Sequence, residues 1–455
     1  MSAPPATDAR PIAAVILAAG KGTRMRSARP KVLHEIGGRP MLHHAMAAAS
    51  ALVPERMAVV VGHGGAAVAA AARVFGPDVH VAVQEPQQGT GHAVLAARPA
   101  LEGFAGDLVV LFGDTPFLSP ETLARLVAAR AEAEIVVLGF EAAEPGGYGR
   151  LILEDGRLVR IVEARDATPE ENSVTTCNSG VMAGDGAMML RLLEALRPDN
   201  AQGEIYLTDV VAAAVAEGRS AQAVLCAEAE TLGINDRVQL AAAEALFQAR
   251  AREAAMRAGA TLIAPETVFF AHDTRLGEDV TVEPNVVFGP GVAVGRGARI
   301  NAFCHLERTR IGEAAVVGPF ARLRGGCEIG GDTRIGNFVE MKATTFGDGA
   351  KAAHLAYLGD ATVGPGANIG AGAITCNYDG VNKHRTEIGA AAFIGTNAAL
   401  VAPVEIGPGA YVATGTVVTR DVPGDALAIA RTPQQNREGT AARLRASLGA
   451  KRNSG

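Results

Sequence analysis

Residues 311–335 read IGEAAVVGPFARLRGGCEIGGDTRI, with an aliphatic residue at every sixth position. The period runs through much of the C-terminal third of the chain, with one step shortened to five residues before Ile311. The repeated positions are Leu276, Val282, Phe288, Val294, Ile300, Leu306, Ile311, Val317, Leu323, Ile329, Ile335, Ile388, Ile394, Leu400, Ile406, Val412 and Val418. This period suits neither an amphipathic helix nor an alternating strand, but it suits a coil whose flat sides each point one aliphatic side chain inward. The glycine that commonly follows the aliphatic residue would stand at a corner with little room for a Cβ atom.

The pattern resembles the left-handed parallel β-helix of hexapeptide-repeat acyltransferases. The resemblance implies that residues 262–430 form roughly nine coils, stacked about 4.8 Å apart. A left-handed crossover is an exception to the usual rule for parallel strands. The handedness therefore follows from the resemblance and not from the period.

The composition sets limits on the architecture and on the partners. A chain of 455 residues exceeds the usual size of one core, so two or more domains are expected. The net charge of -6, mixed along the chain, provides no basic stripe for nucleic acid, and no apolar stretch is long enough to insert into a membrane. Five scattered cysteines predict reduced thiols and a cytoplasmic location, and the proline-rich residues 1–10 predict a disordered tail and not a signal peptide.

Strand candidates in the N-terminal half alternate with helical stretches, which is typical of a mostly parallel, Rossmann-like α/β sheet. These strands are expected at 11–19, 57–62, 79–84, 108–113 and 135–140. A segment without Gly or Pro then lies between a capping Asp236 and a terminating Gly259, and it predicts a linker helix. We expect a tail at 1–10, an α/β domain at 11–235, a linker helix at 236–260, a β-helix domain at 261–435 and a flexible tail at 436–455.

The sharpest local motif is LAAGKGTRM at residues 17–25, followed by Pro30 and Lys31. A glycine-rich turn directly after a first strand exposes backbone N–H groups, and Arg24 and Lys31 add positive charge, which together suit a triphosphate. The motif lacks the ending of a Walker loop and does not match a dinucleotide fingerprint.

Later motifs follow in an order that resembles the sugar-phosphate nucleotidyltransferases. They are GTGHA at 89–93, FGD at 112–114, GYGR at 147–150, IVEARD at 161–166, NSG at 178–180 and GIN at 233–235. The resemblance implies that Asp114 and Asn235 bind Mg²⁺ and that Arg24 and Lys31 are catalytic and neutralise the polyphosphate. It implies UTP or UDP-sugar contacts at Leu17, Ala18, Gly20, Lys31, Gln84, Gly89, Thr90, Gly149, Glu163, Asn178 and Asn235. No protein nucleophile is needed, because a sugar 1-phosphate oxygen is already ionised when it attacks the α-phosphorus.

The six-residue repeat is interrupted between Ile335 and Ile388, and interruptions in a solenoid usually house function. Val363, Ile369 and Thr375 keep the period, so residues 376–387 are expected to loop out. Just before this loop, the segment AHLAYLGD at 353–360 contains His354. An imidazole that titrates near neutrality is suited to take a proton from an amine.

These two segments resemble the acetyltransferase half of the bacterial bifunctional enzymes that make UDP-N-acetylglucosamine, so the resemblance covers nearly the whole chain. It implies acetylation of glucosamine 1-phosphate by acetyl-CoA with His354 as general base, and then uridylyl transfer from UTP to N-acetylglucosamine 1-phosphate. It implies sugar-phosphate contacts at Arg324, Lys342, Tyr357, Asn368 and Lys383, and acetyl-CoA contacts at Ala371, Asn377, Tyr378, Thr396, Thr414 and Arg431. Because one solenoid presents only flat faces, the resemblance also implies a homotrimer with each acetyl-transfer site between subunits.

Three alternatives remain at this stage. The chain could be another nucleotidyltransferase with a regulatory or structural β-helix, such as an ADP-glucose or GDP-mannose pyrophosphorylase. The β-helix could be a metal hydrolyase scaffold like the γ-class carbonic anhydrases, although His305, His354 and His384 do not reproduce that ligand pattern. Finally, the β-helix could serve for assembly only.

Overall fold

The computed structural model describes residues 10–62, 64–200 and 202–452, with side chains up to residue 449. Residues 1–9 of the expected N-terminal tail and the last three residues of the expected C-terminal tail lie outside this range. The chain divides into two compact units, one up to Gln248 and the other from Ala249.

The first unit is built on one large sheet and a short hairpin. Its strands in chain order are β1 Ile12–Ala18, β2 Glu35–Ile36, β3 Arg39–Pro40, β4 Arg56–Gly62, β5 His80–Gln84, β6 Asp107–Phe112, β7 Ile135–Glu141, β8 Arg150–Glu154, β9 Arg157–Val162, β10 Thr176–Asp185 and β11 Ala221–Cys226. The large sheet has the order β11-β7-β10-β6-β1-β4-β5, with the β8–β9 hairpin attached to β10. All neighbours along this order are parallel except β10, which is antiparallel to both β6 and β7. The expected mostly parallel sheet is confirmed, but its antiparallel central strand was not foreseen.

Both faces of this sheet are covered, since the buried side chains of β1 alternate between two cores. Val15 and Leu17 belong to one core and Ile16 and Ala18 to the other. Among the described residues, the helices are α1 Met41–Ser50, α2 Ala66–Phe75, α3 Thr90–Ala96, α4 Pro120–Ala128, α5 Pro169–Asn172, α6 Gly186–Ala195, α7 Asp209–Ala216, α8 Arg237–Arg257 and α9 Thr440–Arg452. Short 3₁₀ turns occupy Thr23–Met25, Lys31–Leu33, Arg98–Leu101, Ala129–Ala131, Glu228–Glu230 and Pro265–Thr267. Since β1, β4, β5 and β6 are parallel, their carboxyl ends meet at one edge, where ligands of α/β sheets usually bind.

The second unit is a solenoid of three parallel sheets. The first sheet contains Thr261–Leu262, Thr281–Val282, Arg299–Ile300, Val316–Val317, Arg334–Asn337, Lys351–His354, Asn368–Ile369, Phe393–Ile394, Tyr411–Val412 and Leu427–Ala428. The second contains Arg275–Leu276, Val292–Val294, Thr309–Ile311, Cys327–Ile329, Thr345–Phe346, Ala361–Val363, Thr386–Ile388 and Val404–Ile406. The third contains Val287–Phe288, His305–Leu306, Arg322–Arg324, Glu340–Lys342, Tyr357–Gly359, Ile374–Cys376, Ala399–Val401 and Val417–Val418.

The repeated aliphatic residues fall on the three sheets in rotation and fill one continuous core. Val282 pairs with Ile300 and Ile300 with Val317, so a turn takes 18 or 17 residues. The corner glycines are required by close stacking, since an ideal Cβ at Gly336 would lie 1.8 Å from the carbonyl oxygen of Ala353 in the next coil. The predicted parallel β-helix is confirmed.

The expected interruption between Ile335 and Ile388 is wrong for most of its length. Met341, Phe346, Ala352 and Leu358 are buried inward positions that carry the repeat through this region. The pattern was missed because two steps shrink to five residues and because alanine stands at one inward position. Only residues 377–385 leave the coil, between Ile374–Cys376 and Thr386–Ile388.

Helices α8 and α9 lie in the segments expected as the linker and the C-terminal tail. The Asp236 carboxylate accepts a hydrogen bond from the Gln239 amide at 2.9 Å and caps α8, and Gly259 follows the helix with φ +97°. Helix α9 occupies Thr440–Arg452, where the sequence suggested a flexible segment. Within the described parts of the chain, no helix has the length and apolar character needed to cross a bilayer.

Candidate active sites

The glycine-rich turn after β1 places Lys31 at the ligand-binding edge of the sheet. Gly22 has φ +59°, and an ideal Cβ on it would lie only 2.6 Å from the Cβ of Lys31. A side chain at this position would therefore push away the 3₁₀ turn Lys31–Leu33. Glycine is needed here both for the left-handed backbone and for the close approach of Lys31.

Lys31 joins the two residues that were predicted to bind a metal. Its ammonium forms an ion pair with the Asp114 carboxylate and donates to the Asn235 Oδ1 atom at 3.1 Å. The guanidinium of Arg24 also donates to Asn235 Oδ1, at 3.1 Å. The side chains of Lys31 and Asp114 are only 13% and 18% exposed. The structure thus brings these four predicted residues together around one point.

This donor set is compatible with Mg²⁺. A carboxylate and an amide oxygen already share one cation, the ammonium of Lys31, so both oxygens converge where a positive charge can sit. Mg²⁺ prefers oxygen ligands and usually keeps water or phosphate oxygens in its remaining positions. Within the described residues, no three His, Cys, Asp or Glu side chains gather as a metal site. A divalent ion at Asp114 and Asn235 would therefore need additional ligands from nucleotide or water.

Two adjoining cavities lie at this edge, one of about 340 Å³ and one of about 420 Å³. The first is lined by Leu17, Ala18, Ala19, Gly20, Lys31, Val32, Gln84, Gln87, Gly89, Thr90, Ala93, Phe112, Asp114 and Glu204. The second is lined by Gly20, Lys21, Gly22, Thr23, Arg24, Lys31, Gln87, Glu204 and Asn235. The predicted triphosphate and base contacts are thus neighbours in space.

Gln84 holds the turn that carries Gly89, because its buried amide nitrogen donates to the Gly89 carbonyl at 2.8 Å. Gly89 has φ +101°, and an ideal Cβ there would lie 2.5 Å from the Ile205 carbonyl oxygen. The segment before α7 thus packs directly over this turn. It contributes Glu204, which lines both cavities.

Glu204 and Gln87 line both cavities but were not among the predicted site residues. Gln87 is part of the segment that leads into the GTGHA motif, and its amide donates to the Ala19 carbonyl. Glu204 comes from a segment more than 100 residues later in the chain and carries no local motif. Only the fold shows that it faces the glycine-rich turn.

The three predicted sugar contacts form a second group in the same unit. The backbone amide of Asn178 donates to the Gly149 carbonyl at 2.8 Å, and an ideal Cβ on Gly149 would lie 3.5 Å from a Glu163 carboxylate oxygen. The hydroxyl of Thr208 donates to the other Glu163 oxygen at 3.2 Å. Burial raises the pKa of Glu163 above the usual range for a carboxyl group. These three residues lie together, although they do not line either of the two cavities.

In the solenoid, the predicted phosphate contacts follow the third sheet. Arg324 and Lys342 are paired in register on adjacent coils, and Lys383 from the protruding loop lies beside Lys342. Contact with Lys383 lowers the pKa of Lys342, because two like charges disfavour each other. Arg324 is held by Glu340, with nitrogen–oxygen distances of 2.7 and 2.8 Å. The three cations form a surface suited to an anion.

His354 lies at the end of the first-sheet strand Lys351–His354 and is exposed. Its Nδ1 atom is 2.7 Å from the Oδ1 atom of Asn337. Across the corner, Tyr357 begins a strand of the third sheet, and its hydroxyl lies close to Gly359 and to the side chain of Asn377. The imidazole is therefore on the outer surface of the prism, where a substrate can reach it.

The predicted acetyl-CoA contacts divide into two groups. Ala371, Thr396 and Thr414 lie on successive coils, where their carbonyls accept from Asn397, Gly415 and Arg431 at 2.8, 2.8 and 2.9 Å. The other group belongs to the protruding loop, in which Asn377 is buried and bonded to Asp360 at 2.5 Å while Tyr378 is exposed.

Asn368 does not share the third sheet with Arg324 and Lys342. It lies on the first sheet, in register with Lys351 and Phe393.

Comparisons with known proteins cover both units. Residues 14–253 match the model of the MobA-like NTP transferase domain, and residues 273–308 and 308–343 match the bacterial transferase hexapeptide model. Curated relatives called "Bifunctional protein GlmU" align over almost their whole length. The relative from Ruegeria sp. (strain TM1040) is 58% identical, covering 97% of this chain and 98% of the relative. Those from Cereibacter sphaeroides (strain ATCC 17025 / ATH 2.4.3) and Jannaschia sp. (strain CCS1) are 57% and 53% identical, covering 95% and 96% of this chain and 95% and 97% of the relatives. The chain, with its nucleotidyltransferase unit and its hexapeptide-repeat transferase unit, belongs to the GlmU family of bifunctional proteins.

Proposed function

We propose that the chain catalyses two consecutive transfers. Glucosamine 1-phosphate is first acetylated by acetyl-CoA at the solenoid, and N-acetylglucosamine 1-phosphate then receives a uridylyl group from UTP at the α/β unit. The observation that carries this proposal is the presence of two chemically different constellations on separate units. One is the cation–carboxylate–amide group of Lys31, Asp114 and Asn235, and the other is the exposed His354 on a solenoid that also carries the cations Arg324 and Lys342.

Uridylyl transfer requires two anions to approach, so the task of the site is positioning and charge neutralisation. The ionised phosphate of the sugar attacks the α-phosphorus of UTP, a new P–O bond forms, and pyrophosphate leaves. Lys31 and Arg24 face the triphosphate, while the glycine-rich turn offers its backbone N–H groups. Asp114 and Asn235 would hold Mg²⁺, which supplies further positive charge to the phosphate oxygens when bound. The turn that carries Gly89 lines the nucleoside end of the cavity.

Acetyl transfer requires a neutral amine. His354 accepts the proton that the amine nitrogen loses as it attacks the thioester carbonyl, and the C–N bond forms. The C–S bond then breaks, and the departing CoA thiolate takes up the proton from His354. Arg324, Lys342 and Lys383 bind the sugar phosphate. Tyr357, which starts the next strand after His354, contacts the sugar.

The proposed assembly is a homotrimer. Equivalent corners of successive coils carry four exposed apolar side chains, Phe303, Phe320, Phe338 and Leu355. The three phenyl rings stack, and the centroids of consecutive rings are 4.8 and 5.1 Å apart. Such a continuous apolar ridge is typical of a surface that is covered by a partner. The molar mass in solution, measured by light scattering, tests this directly, and a mass equal to that of one chain would contradict it.

Separate measurement of thiol release and pyrophosphate release in two variants of the full-length protein tests the proposed function. We expect Asp114→Ala to abolish pyrophosphate release and leave thiol release intact, and His354→Ala to do the opposite. Loss of both activities from either change would contradict independent sites. Full thiol release in His354→Ala would remove this residue as the base, and the complete absence of thiol release in the unaltered protein would favour a purely structural solenoid.

A further inference from the structure

Asn337 meets His354 across two adjacent coils. The strands Arg334–Asn337 and Lys351–His354 are parallel neighbours, and Asn337 and His354 are register partners. Their side chains meet with 2.7 Å between the Asn337 Oδ1 atom and the His354 Nδ1 atom. The backbone strengthens this pairing, because the Leu355 amide donates to the Asn337 carbonyl at 3.0 Å. Asn337 has no role in either of the proposed substrate sites.

The backbone on both sides of Asn337 is restricted. Gly336 packs so closely on the next coil that an ideal Cβ would lie 1.8 Å from the Ala353 carbonyl oxygen. Phe338 follows with a left-handed backbone, φ 56°, at the corner of the prism. The backbone of Asn337 is thus fixed between a tight stacking contact on one side and a sharp turn on the other.

This contact determines which ring nitrogen can act as a base. A neutral imidazole has one N–H donor and one free lone pair, and the partner of one nitrogen determines the state of the other. An amide oxygen can only accept, so Nδ1 carries the hydrogen and Nε2 keeps its lone pair. Because the amide is neutral, it orients the ring without adding a fixed negative charge.

We infer that Asn337 is a positioning residue that holds His354 as the Nδ1–H tautomer, with Nε2 directed outward to receive the proton of the amine. This inference rests on the proposed role of His354 in acetyl transfer. A wrong tautomer or a freely rotating ring removes the base from part of the population, and this loss affects turnover and not substrate binding.

The test compares Asn337→Leu and Asn337→Asp in the full-length protein. We expect Asn337→Leu to lower kcat for thiol release roughly 10- to 100-fold, with the KM values for acetyl-CoA and glucosamine 1-phosphate within about 2-fold of the unaltered protein. Asn337→Asp keeps an acceptor at the same place and should recover most of the lost kcat. The ¹⁵N signals of His354 should show protonated Nδ1 in the unaltered protein and a mixture of tautomers in Asn337→Leu.

Two controls separate this role from a general effect on folding. Pyrophosphate release by the α/β unit of the same preparations should be unchanged. Arg334→Met changes an exposed residue at the other end of the same strand and should leave thiol release unchanged.

Unchanged kcat in Asn337→Leu would overturn the inference. Equal losses of kcat in Asn337→Leu and Asn337→Asp would also overturn it, because they would show that the side-chain nitrogen of Asn337, and not its oxygen, bonds to the imidazole. Full thiol release in His354→Ala would instead overturn the proposed base itself.

Discussion

Replacement of Lys31 by methionine should make the uridylyl site bind a divalent metal more tightly when no nucleotide is present. In the free protein, the ammonium of Lys31 contacts both the Asp114 carboxylate and the Asn235 amide oxygen. A metal that enters alone must displace this ammonium. The variant keeps the volume of the side chain approximately but removes its charge, so both oxygens become available.

The expected size of the effect follows from charge separation and exposure. Two unit charges about 4 Å apart attract by about 4 kcal/mol at an effective dielectric constant near 20. The side chains of Lys31 and Asp114 are 13% and 18% exposed, so solvent screens part of this attraction. We expect about 1–2 kcal/mol to remain, which corresponds to about 10-fold tighter metal binding. Uridylyl transfer should fall in the same variant, because the triphosphate loses a neutralising charge.

Mn²⁺ titration followed by electron paramagnetic resonance, on the nucleotide-free full-length protein, measures this affinity. Lys21→Met is the matched control, since Lys21 lines the second cavity but is not the residue that contacts Asp114. Equal Mn²⁺ affinity in Lys31→Met and the unaltered protein would refute the reasoning. An equal gain in Lys21→Met would show that only the overall charge matters.

Three other outcomes are expected. Leu358→Ala should lower the free energy of unfolding of the solenoid by about 2–5 kcal/mol, whereas Val381→Ala, at an exposed position of the loop 377–385, should change it by less than about 0.5 kcal/mol in chemical denaturation. Because burial raises the pKa of Glu163, its carboxylate should become protonated at a higher pH than an ordinary Glu and then lose a hydrogen bond to the sugar. The KM for N-acetylglucosamine 1-phosphate should therefore rise as the pH falls through this range. The same dependence of KM on pH in Glu163→Gln would count against this assignment. Because Lys383 lowers the pKa of Lys342, Lys342 should lose its charge at a lower pH than an ordinary lysine, and the KM for glucosamine 1-phosphate should begin to rise at that lower pH. Lys383→Met should shift this rise in KM to higher pH. A rise that stays at the same pH would show that the two amines do not interact in solution.

The core of the solenoid was predictable because an aliphatic residue recurs at one inward position in every six. Ile300 and Ile329 are isolated apolar positions between polar or small residues, so their period is visible in the sequence alone. Between Ile335 and Ile388 the same geometry is built with Ala352 and with five-residue steps, and a strict six-residue template fails there. Coil stacking tolerates these changes because the hydrogen bonds of each turn depend on the backbone of its neighbours and not on the size of one inward side chain.

The predicted metal group came together because strand ends and glycine-rich turns have a fixed place in a parallel sheet. Asp114 lies two residues after the end of β6, and the backbone amide of Ile234 donates to its carbonyl at 3.1 Å, which places the GIN segment beside it. Glu204 and Asn337 could not be predicted in this way. The first reaches its site through a long-range packing contact, and the second through coil-to-coil register, and neither leaves a local motif.

The segment 377–385 leaves the prism at a corner, and the coil closes again without any change in register. Ile374 pairs with Ala399 and Thr386 with Val404 on either side of the excursion. The length and side chains of this loop can therefore vary while the coils of the solenoid stay the same. A solenoid of this kind can acquire a new specificity by exchanging one corner excursion, without redesigning the protein interior.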